Sequence, residues 1–381
     1  MSRPTSEFVA SGVPMAPIEE QRWYAPRIWH GMSLGVWMEL LREKHFRVHP
    51  TRYVLAGSVF PLSLIPSVAG KIQHARYGDQ AQSTPMVDDP IIVTGHWRSG
   101  TTLLHELFAL DQRLSYPTTF QCFNPLSFRV SGWFMKPLTQ ITLPEHRPMD
   151  NLRVSWDAPQ EDEFALLNMG LPTPYRRIAW PNHPAPYLNY LDMEGLSEAA
   201  LETWKEGLLT FLQYLNLFVG KRLVLKSPPH TGRMAVLRQI FPNARFVHIT
   251  REPERLIPST MHLWAALDHA NALRVPNFKN LREYVFTCFE RMYRGYLRDE
   301  PEVPETHLIT IRFRDLVKDT EQTMRQVYQQ LELGDFDECA AAVREYMGRN
   351  RDYKQNQHPM VPDLQAEIDR RCGFYRDRFM V

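Results

Sequence analysis

The sequence predicts an α/β fold with three layers around a central parallel sheet, and a helical, aromatic-rich insertion over one end of that sheet. Three observations predict it. Four short runs are apolar almost throughout, as strands covered on both faces are. Each run leads into apolar residues at helical spacing, the alternation that makes βαβ units. The first run ends in a glycine-bounded polar loop, the usual beginning of a ligand site at the carboxyl edge of a parallel sheet.

The elements follow in chain order. Residues 1–89 are expected to form an N-terminal helical segment packed on the core. Their opening, "MSRPTSEFVASGVPMAPIEEQRW", has no apolar stretch of signal-peptide length. The longest apolar stretch, "YVLAGSVFPLSLIPSVAG" at 53–70, carries Gly57, Pro61, Pro66 and three serines and is slightly short for a span. It is read as a buried or surface-lying helix, able to touch a membrane surface without being a firm anchor. "IIVTG" (91–95) is the first strand, and Leu103, Leu104, Leu107 and Phe108 mark the helix after it.

Residues 115–195 are rich in proline and aromatics and are read as the insertion that shapes an acceptor site. A long helix from about Leu196 to Val219 is stopped by Gly220. "RLVLKS" (222–227), "ARFVHITR" (244–251) and "THLITIRF" (306–313) are the other strands. Leu316, Val317, Met324, Val327 and Leu331 mark a closing helix, and 340–381 is expected to form a C-terminal helical cap. Residues 90–381 thus make the main domain, joined with 1–89 in a single structural unit.

Bulk composition excludes several classes. Apolar residues make up 44% of the chain, enough for a large core. Net charge is +1, with 44 basic against 43 acidic residues, so there is no general attraction to nucleic acid and any anion site must be built locally. Cys122, Cys288, Cys339 and Cys372 have neither metal-ligand nor disulfide-framework spacing, which predicts a reducing, cytoplasmic setting.

The loop itself reads "GHWRSGTT". Gly95 and Gly100 keep the spacing of the nucleotide-binding pattern G-x-x-x-x-G-K-[ST], but Thr101 stands where the lysine belongs. Loop amides and the start of a helix attract an oxyanion. Thr101 and Thr102 add hydroxyls, and Arg98 adds a charge with parallel donors. A magnesium-nucleotide site also needs a carboxylate at the end of a second strand. Here the second strand ends in Lys226-Ser227 and the third in Thr250-Arg251, so cations stand where that carboxylate is expected. The pattern predicts a metal-free anion site.

These residues carry a resemblance. "RSGTT" after a strand resembles the 5′-phosphosulfate loop of sulfotransferases, which use 3′-phosphoadenosine 5′-phosphosulfate (PAPS) and share the P-loop kinase-like fold. "RFVHITREPERLIPST" resembles their 3′-phosphate element, with Arg251 ending a strand and Ser259 eight residues on. "LVLKSPPH" resembles the strand-lysine element of the tyrosyl-protein and bacterial branches, and "IRFRDLVKDTEQTMRQV" a strand-to-helix element in which Phe313 and Asp315 match. The four stand in the family's order from 90 to 333.

The resemblance implies a bacterial-type sulfotransferase that moves the sulfuryl group of PAPS to a hydroxyl by in-line transfer. It implies that Arg98, Ser99, Gly100, Thr101 and Thr102 hold the 5′-phosphosulfate, Arg251 and Ser259 the 3′-phosphate, and Lys226 the sulfuryl oxygens. A general base must reach the acceptor hydroxyl. The tyrosyl-protein branch uses a Glu about twenty residues after the loop arginine; here that region reads "SYPTTFQCF", without a carboxylate. The substitute is "PQEDEF": Glu161 and Glu163 lead, with Asp162 between them, then His96, then His230. An acidic first helical turn would give the same pattern without catalysis.

No R-K-G loop closes the 3′-phosphate site; Arg349, Arg351 and Lys354 are offered for that work or as a plain basic run. The aromatics of 120–190 predict an apolar or ring-containing acceptor: a phenol, sterol, lipid or small metabolite. Two other functions fit the loop less well: a small-molecule kinase with a displaced lysine, and an inactive nucleotide-binding protein.

Overall fold

Five parallel strands form the centre of this computed structural model: β1 (Ile91–Thr94), β2 (Leu114–Ser115), β3 (Arg222–Lys226), β4 (Arg245–Thr250) and β5 (Leu308–Arg312), in the spatial order β2-β3-β1-β4-β5. The structure describes residues 8–10, 12–15, 18, 25–143, 154–350 and 358–380. The four expected strands are all present, trimmed by one to three residues. β2 was not expected; two residues carry no periodicity to read.

Alternate residues feed opposite layers, as the pleat requires. Ile91 and Val93 of β1 join Val224, Val247, Ile249 and Ile311 in a cluster closed by Met324, Val327 and Phe336. Ile92 joins Leu223, Leu225 and Phe246 on the other face, in a larger cluster that runs through Trp204, Trp264, Trp156 and Trp29. The sheet is therefore sandwiched, and the insertion and the N-terminal helices share the second cluster.

The helices that bear on the site are α1 (Tyr53–Ser83), α2 (Thr101–Phe108), α3 (Phe128–Gln140), α4 (Glu163–Met169), α5 (Glu198–Val219) and α6 (Pro253–Asn271). α5 starts at its Ser197 cap and ends at left-handed Gly220, as expected. The closing helix is broken in two, Phe313–Lys318 and Thr320–Gln330, where extended Asp319 caps the second piece through the amide of Gln322. α1 takes in both prolines of the apolar stretch. Ala56, Val59, Ser63, Pro66, Ala69 and Gln73 recur every three or four residues as its buried stripe, packed against α5 and Leu34–Arg42.

Topology sets the ligand end. The chain leaves β1 toward the β2 edge and leaves β4 toward the β5 edge, so a crevice opens between the ends of these two neighbours. Val93 pairs with Lys226 and Thr94 with His248, which brings the loop after β1, Lys226 and Arg251 to one edge.

Candidate active site

The loop after β1 is held by close approaches. Gly95 has φ +141°, and a Cβ there would lie 2.6 Å from the carbonyl oxygen of Ile249. Gly100 has φ +111°, and a Cβ there would lie 2.3 Å from the Phe313 ring. Only glycine fits either position. Arg98 adopts φ +70°, a conformation that costs a non-glycine residue on the order of 1–3 kcal/mol unless its surroundings hold it. They do: Arg98 Nε donates to Ser259 Oγ at 3.0 Å, and Arg251 Nη1 donates to the Arg98 carbonyl at 2.8 Å. Arg98, Arg251 and Ser259, far apart in sequence, thus meet in one place.

Thr101 and Thr102 open α2, whose first turn receives no side-chain cap, and both face the cavity described below. Ser99 does not face it. Its buried hydroxyl turns inward under Gly95, and its amide donates to the carbonyl of His96. The Ser99 side chain is thus absent from the cavity wall.

The acidic triplet splits in three directions. Glu161 reaches the cavity wall, where its Oε1 accepts from Lys226 Nζ at 2.8 Å and its Oε2 from the Tyr175 hydroxyl. Asp162 is fully buried and bonded to Ser227 and to His230 Nε2 at 2.6 Å; the His230 contact does most to offset burial and keep its carboxyl below the usual range. Glu163 is fully buried in a two-pronged pair with Arg233, at 2.6 and 3.1 Å, with the Thr173 hydroxyl as a third donor.

Glu163 is thereby corrected from candidate base to part of the scaffold: it is fully buried and does not line the cavity, whereas Glu161 does. His230, locked on Asp162, is corrected in the same way. His96 is corrected too. It is fully buried, ringed by Trp97, Phe289 and Tyr293, with Nδ1 3.1 Å from the Trp97 carbonyl. Burial pushes its pKa down to about 3, and it shapes the loop rather than meeting a substrate.

A cavity of about 1550 Å³ joins these pieces. Single ligand pockets run to roughly 1,000 Å³, so this one has room for two molecules together. One part is polar, built around Arg98, Arg251, Ser259 and Phe313, over whose ring the Arg251 guanidinium lies 4.7 Å from the centroid. The other part is an aromatic wall in which Trp97, Tyr175, Phe164, Phe123 and Trp156 touch in sequence. Glu161 also lines the cavity and is bonded to Tyr175 of the aromatic wall. Lys226 lies just behind it, almost wholly buried.

Sequence reasoning missed four contributors. Nothing in the sequence sets Tyr175 apart from the other aromatics of 120–190, yet it accepts from Trp97 Nε1 at 2.8 Å and donates to Glu161. Burial, then Glu161, raises its pKa well above normal, so it stays a donor. His358 and Arg344 bring the C-terminal region onto the polar wall. His358 packs on His262, and burial with the charges of His262, Arg98 and Arg251 holds it to about 4. Of the offered basic run, Arg349 pairs with Glu345 on the surface, and Arg351 and Lys354 lie outside the described residues. The Tyr375 hydroxyl also grips both the amide and the carbonyl of Arg251.

Fold and site are those of the P-loop-like α/β class, with Arg98, Arg251 and Ser259 gathered at the loop after β1 and Lys226 at the end of a neighbouring strand. Residues 90–338 match the model of the sulfotransferase family, and the chain belongs to that family. It is 38% identical over 359 residues to the omega-hydroxy-beta-dihydromenaquinone-9 sulfotransferase Stf3 of Mycobacterium tuberculosis and of Mycobacterium bovis, covering 94% of this chain and 92% of each relative. Among solved structures, the sulfotransferase STF9 of Mycobacterium avium superposes with a TM-score of 0.65 at 18% identity, over 92% of this chain and 97% of that one. STF1 of Mycobacterium tuberculosis superposes at 0.60 and 16%, over 89% and 91%. The chain is a sulfotransferase, and the kinase reading of the loop is set aside.

Proposed function

We propose that the polar part of the cavity takes PAPS, that the aromatic part takes a lipid-like alcohol, and that Glu161 is the general base. The observation that carries this is the split of the acidic triplet: of three adjacent carboxylates, only Glu161 faces the cavity. The residues present fit the donor. Arg98, Arg251 and Ser259 form a cluster suited to a phosphate, and the uncapped start of α2 with Thr101 and Thr102 suits a second anionic group. PAPS supplies an activated sulfuryl group on a bridging oxygen.

The protein's own residues do the rest. Glu161 accepts the acceptor's proton as that oxygen bonds to sulfur and the bond from sulfur to the bridging oxygen breaks. Tyr175, held by Trp97, positions Glu161. The Lys226 ammonium, beside Glu161, serves the oxygens on which negative charge collects. The aromatic wall excludes water and orients an apolar acceptor. The curated relatives are named for an omega-hydroxylated dihydromenaquinone, which supports an alcohol on a long apolar chain. The four cysteines are free and buried, which supports a cytoplasmic setting.

The test uses purified protein, labelled PAPS, EDTA, and three acceptors: a long-chain isoprenoid alcohol, a simple phenol and an anionic sugar. The reading expects transfer with EDTA present and preference for the isoprenoid alcohol. Preference for the sugar overturns the acceptor; transfer from no PAPS-containing mixture overturns the donor.

A further inference from the structure

We propose that the outward faces of α1 and α3 form a platform that docks on an anionic lipid bilayer, beside the mouth of the cavity. The idea that the acceptor is drawn from that bilayer rests on the function proposed above; the docking itself does not.

The first observation is where apolar surface is left bare. Single exposed apolar residues are ordinary; a continuous stripe is not. Among the described residues, ten of the fifteen large apolar side chains that stand exposed lie on α1 or on α3 and its flanks. On α1 these include Phe60, Leu64, Val68 and Ile72, one helical turn apart, with Val68 59% exposed. On α3, Trp133 is 78% exposed, and Ile141 just beyond its end is 84% exposed. The opposite stripe of α1 is buried against the body, so this helix lies along the surface although its length and composition would allow it to cross a membrane.

The second observation is charge. Residues 44–83 and 126–143, which take in all of α1 and α3, hold seven lysines and arginines and one acid, Asp79, in a chain whose net charge is +1. Arg52 is turned to the carbonyl of His269 and Lys136 is paired with Asp157, which leaves Lys71 and Arg76 on α1 and Arg129 at the start of α3 beside the apolar stripe. An apolar stripe bordered mainly by positive charge matches the boundary between acyl chains and anionic headgroups. An exposed tryptophan suits that boundary, with its ring in the apolar layer and its N–H among headgroups. A second protein of ordinary surface offers no such excess of negative charge.

The third observation is continuity. Leu126 packs its backbone against Gly70 of α1, and Arg129 donates its amide to Gln73, so the two helices are joined. Phe123, three residues before Leu126, and Leu143, two after Ile141, both line the cavity. The platform runs directly into the aromatic wall.

The test is cosedimentation of the full chain with phosphatidylcholine vesicles, with and without phosphatidylglycerol. Binding is expected to the anionic vesicles and to weaken with salt. The pairs Trp133→Glu with Ile141→Glu, and Leu64→Glu with Val68→Glu, are each expected to lower the partition coefficient roughly tenfold or more. Thermal midpoint and binding of 3′-phosphoadenosine 5′-phosphate should stay unchanged, since all four side chains are exposed. Absence of vesicle binding by the intact chain overturns the proposal, and so does binding that the glutamates leave untouched. Loss of a dimer in these variants, with no vesicle binding by either form, shows that a second copy covers the face. Vesicle binding without sulfation of any lipid alcohol keeps the platform and removes the proposed acceptor; sulfation of lipid alcohols without vesicle binding does the reverse.

Discussion

Lys226 Nζ stands 2.8 Å from Glu161 Oε1, and this contact ties the end of strand β3 to the one carboxylate of its triplet that faces the cavity. An almost buried ammonium and a partly buried carboxylate stabilise each other there. On the proposed function the pair sets a proton acceptor and a positive charge within one contact of each other.

Glu161→Gln therefore removes the base while keeping shape. Turnover is expected to fall by roughly 10²- to 10⁴-fold, the usual worth of a positioned general base. Affinity for 3′-phosphoadenosine 5′-phosphate should barely change. Tyr175→Phe removes one donor to that carboxylate and should lower kcat about tenfold with KM for PAPS unchanged. Near-normal turnover of Glu161→Gln would show that another group takes the proton.

Arg251 and Ser259 reach the polar wall from 153 and 161 residues beyond Arg98, and Arg251 also holds the strained backbone of Arg98. Arg251→Ala should weaken PAPS binding roughly ten- to a hundredfold, the loss of charge-assisted hydrogen bonds. Adenosine 5′-phosphosulfate, which lacks the 3′-phosphate, should lose much less. Calorimetry with the two nucleotides decides; equal losses would mean that Arg251 acts only through the loop.

Much of this site was legible because parallel strands buried on both faces are continuous apolar runs, and their last residues were readable as the ligand edge. Lys226 and Arg251 are readable that way, Arg98 from the loop between its glycines, and Ser259 only through the family resemblance. The acidic triplet was not resolvable. Glu161 precedes α4 and Glu163 opens it, so adjacent residues at the turn into a helix point in widely different directions. Which one meets the cavity depends on Arg233 and His230, each some 70 residues away. The bond from Trp97 to Tyr175 spans 78 residues and leaves no periodic trace. His96 looked reactive because it sits in the loop; the aromatic cage around it comes from Phe289 and Tyr293, far down the chain.

Glu163 and Arg233 make a different prediction from Glu161, although the two glutamates are two residues apart. Both partners are fully buried, and the Arg233 guanidinium also lies over the Trp204 ring. Glu163→Ala leaves an arginine charge buried and unpaired, at a cost of about 3–5 kcal/mol. The urea midpoint should drop sharply, while kcat of the protein that remains folded should stay near normal. A variant of full stability and lost turnover would return Glu163 to the list of candidate bases.

Stability should also fall on the acid side of neutrality, and His248 gives the sign. It is fully buried between Tyr296 and Phe379, with Nδ1 3.2 Å from Thr94 Oγ1. Burial, then Arg378, lowers its pKa from 6.5 to about 3. Between those values the unfolded chain holds a proton on this residue that the folded chain does not, so stability rises with pH across that window and is lost as pH falls through it. At pH 5 this one residue removes about 2 kcal/mol relative to neutrality. His96, lowered to about 3 as well, adds a similar amount. His248→Phe keeps the ring among its aromatic neighbours and removes the proton. Its unfolding free energy, measured in urea from pH 7 down to pH 5, should decline less steeply than the parent's by about 1.4 kcal/mol per pH unit below 6.5. Parallel slopes for the two proteins would mean that His248 is not the buried neutral imidazole its surroundings make it.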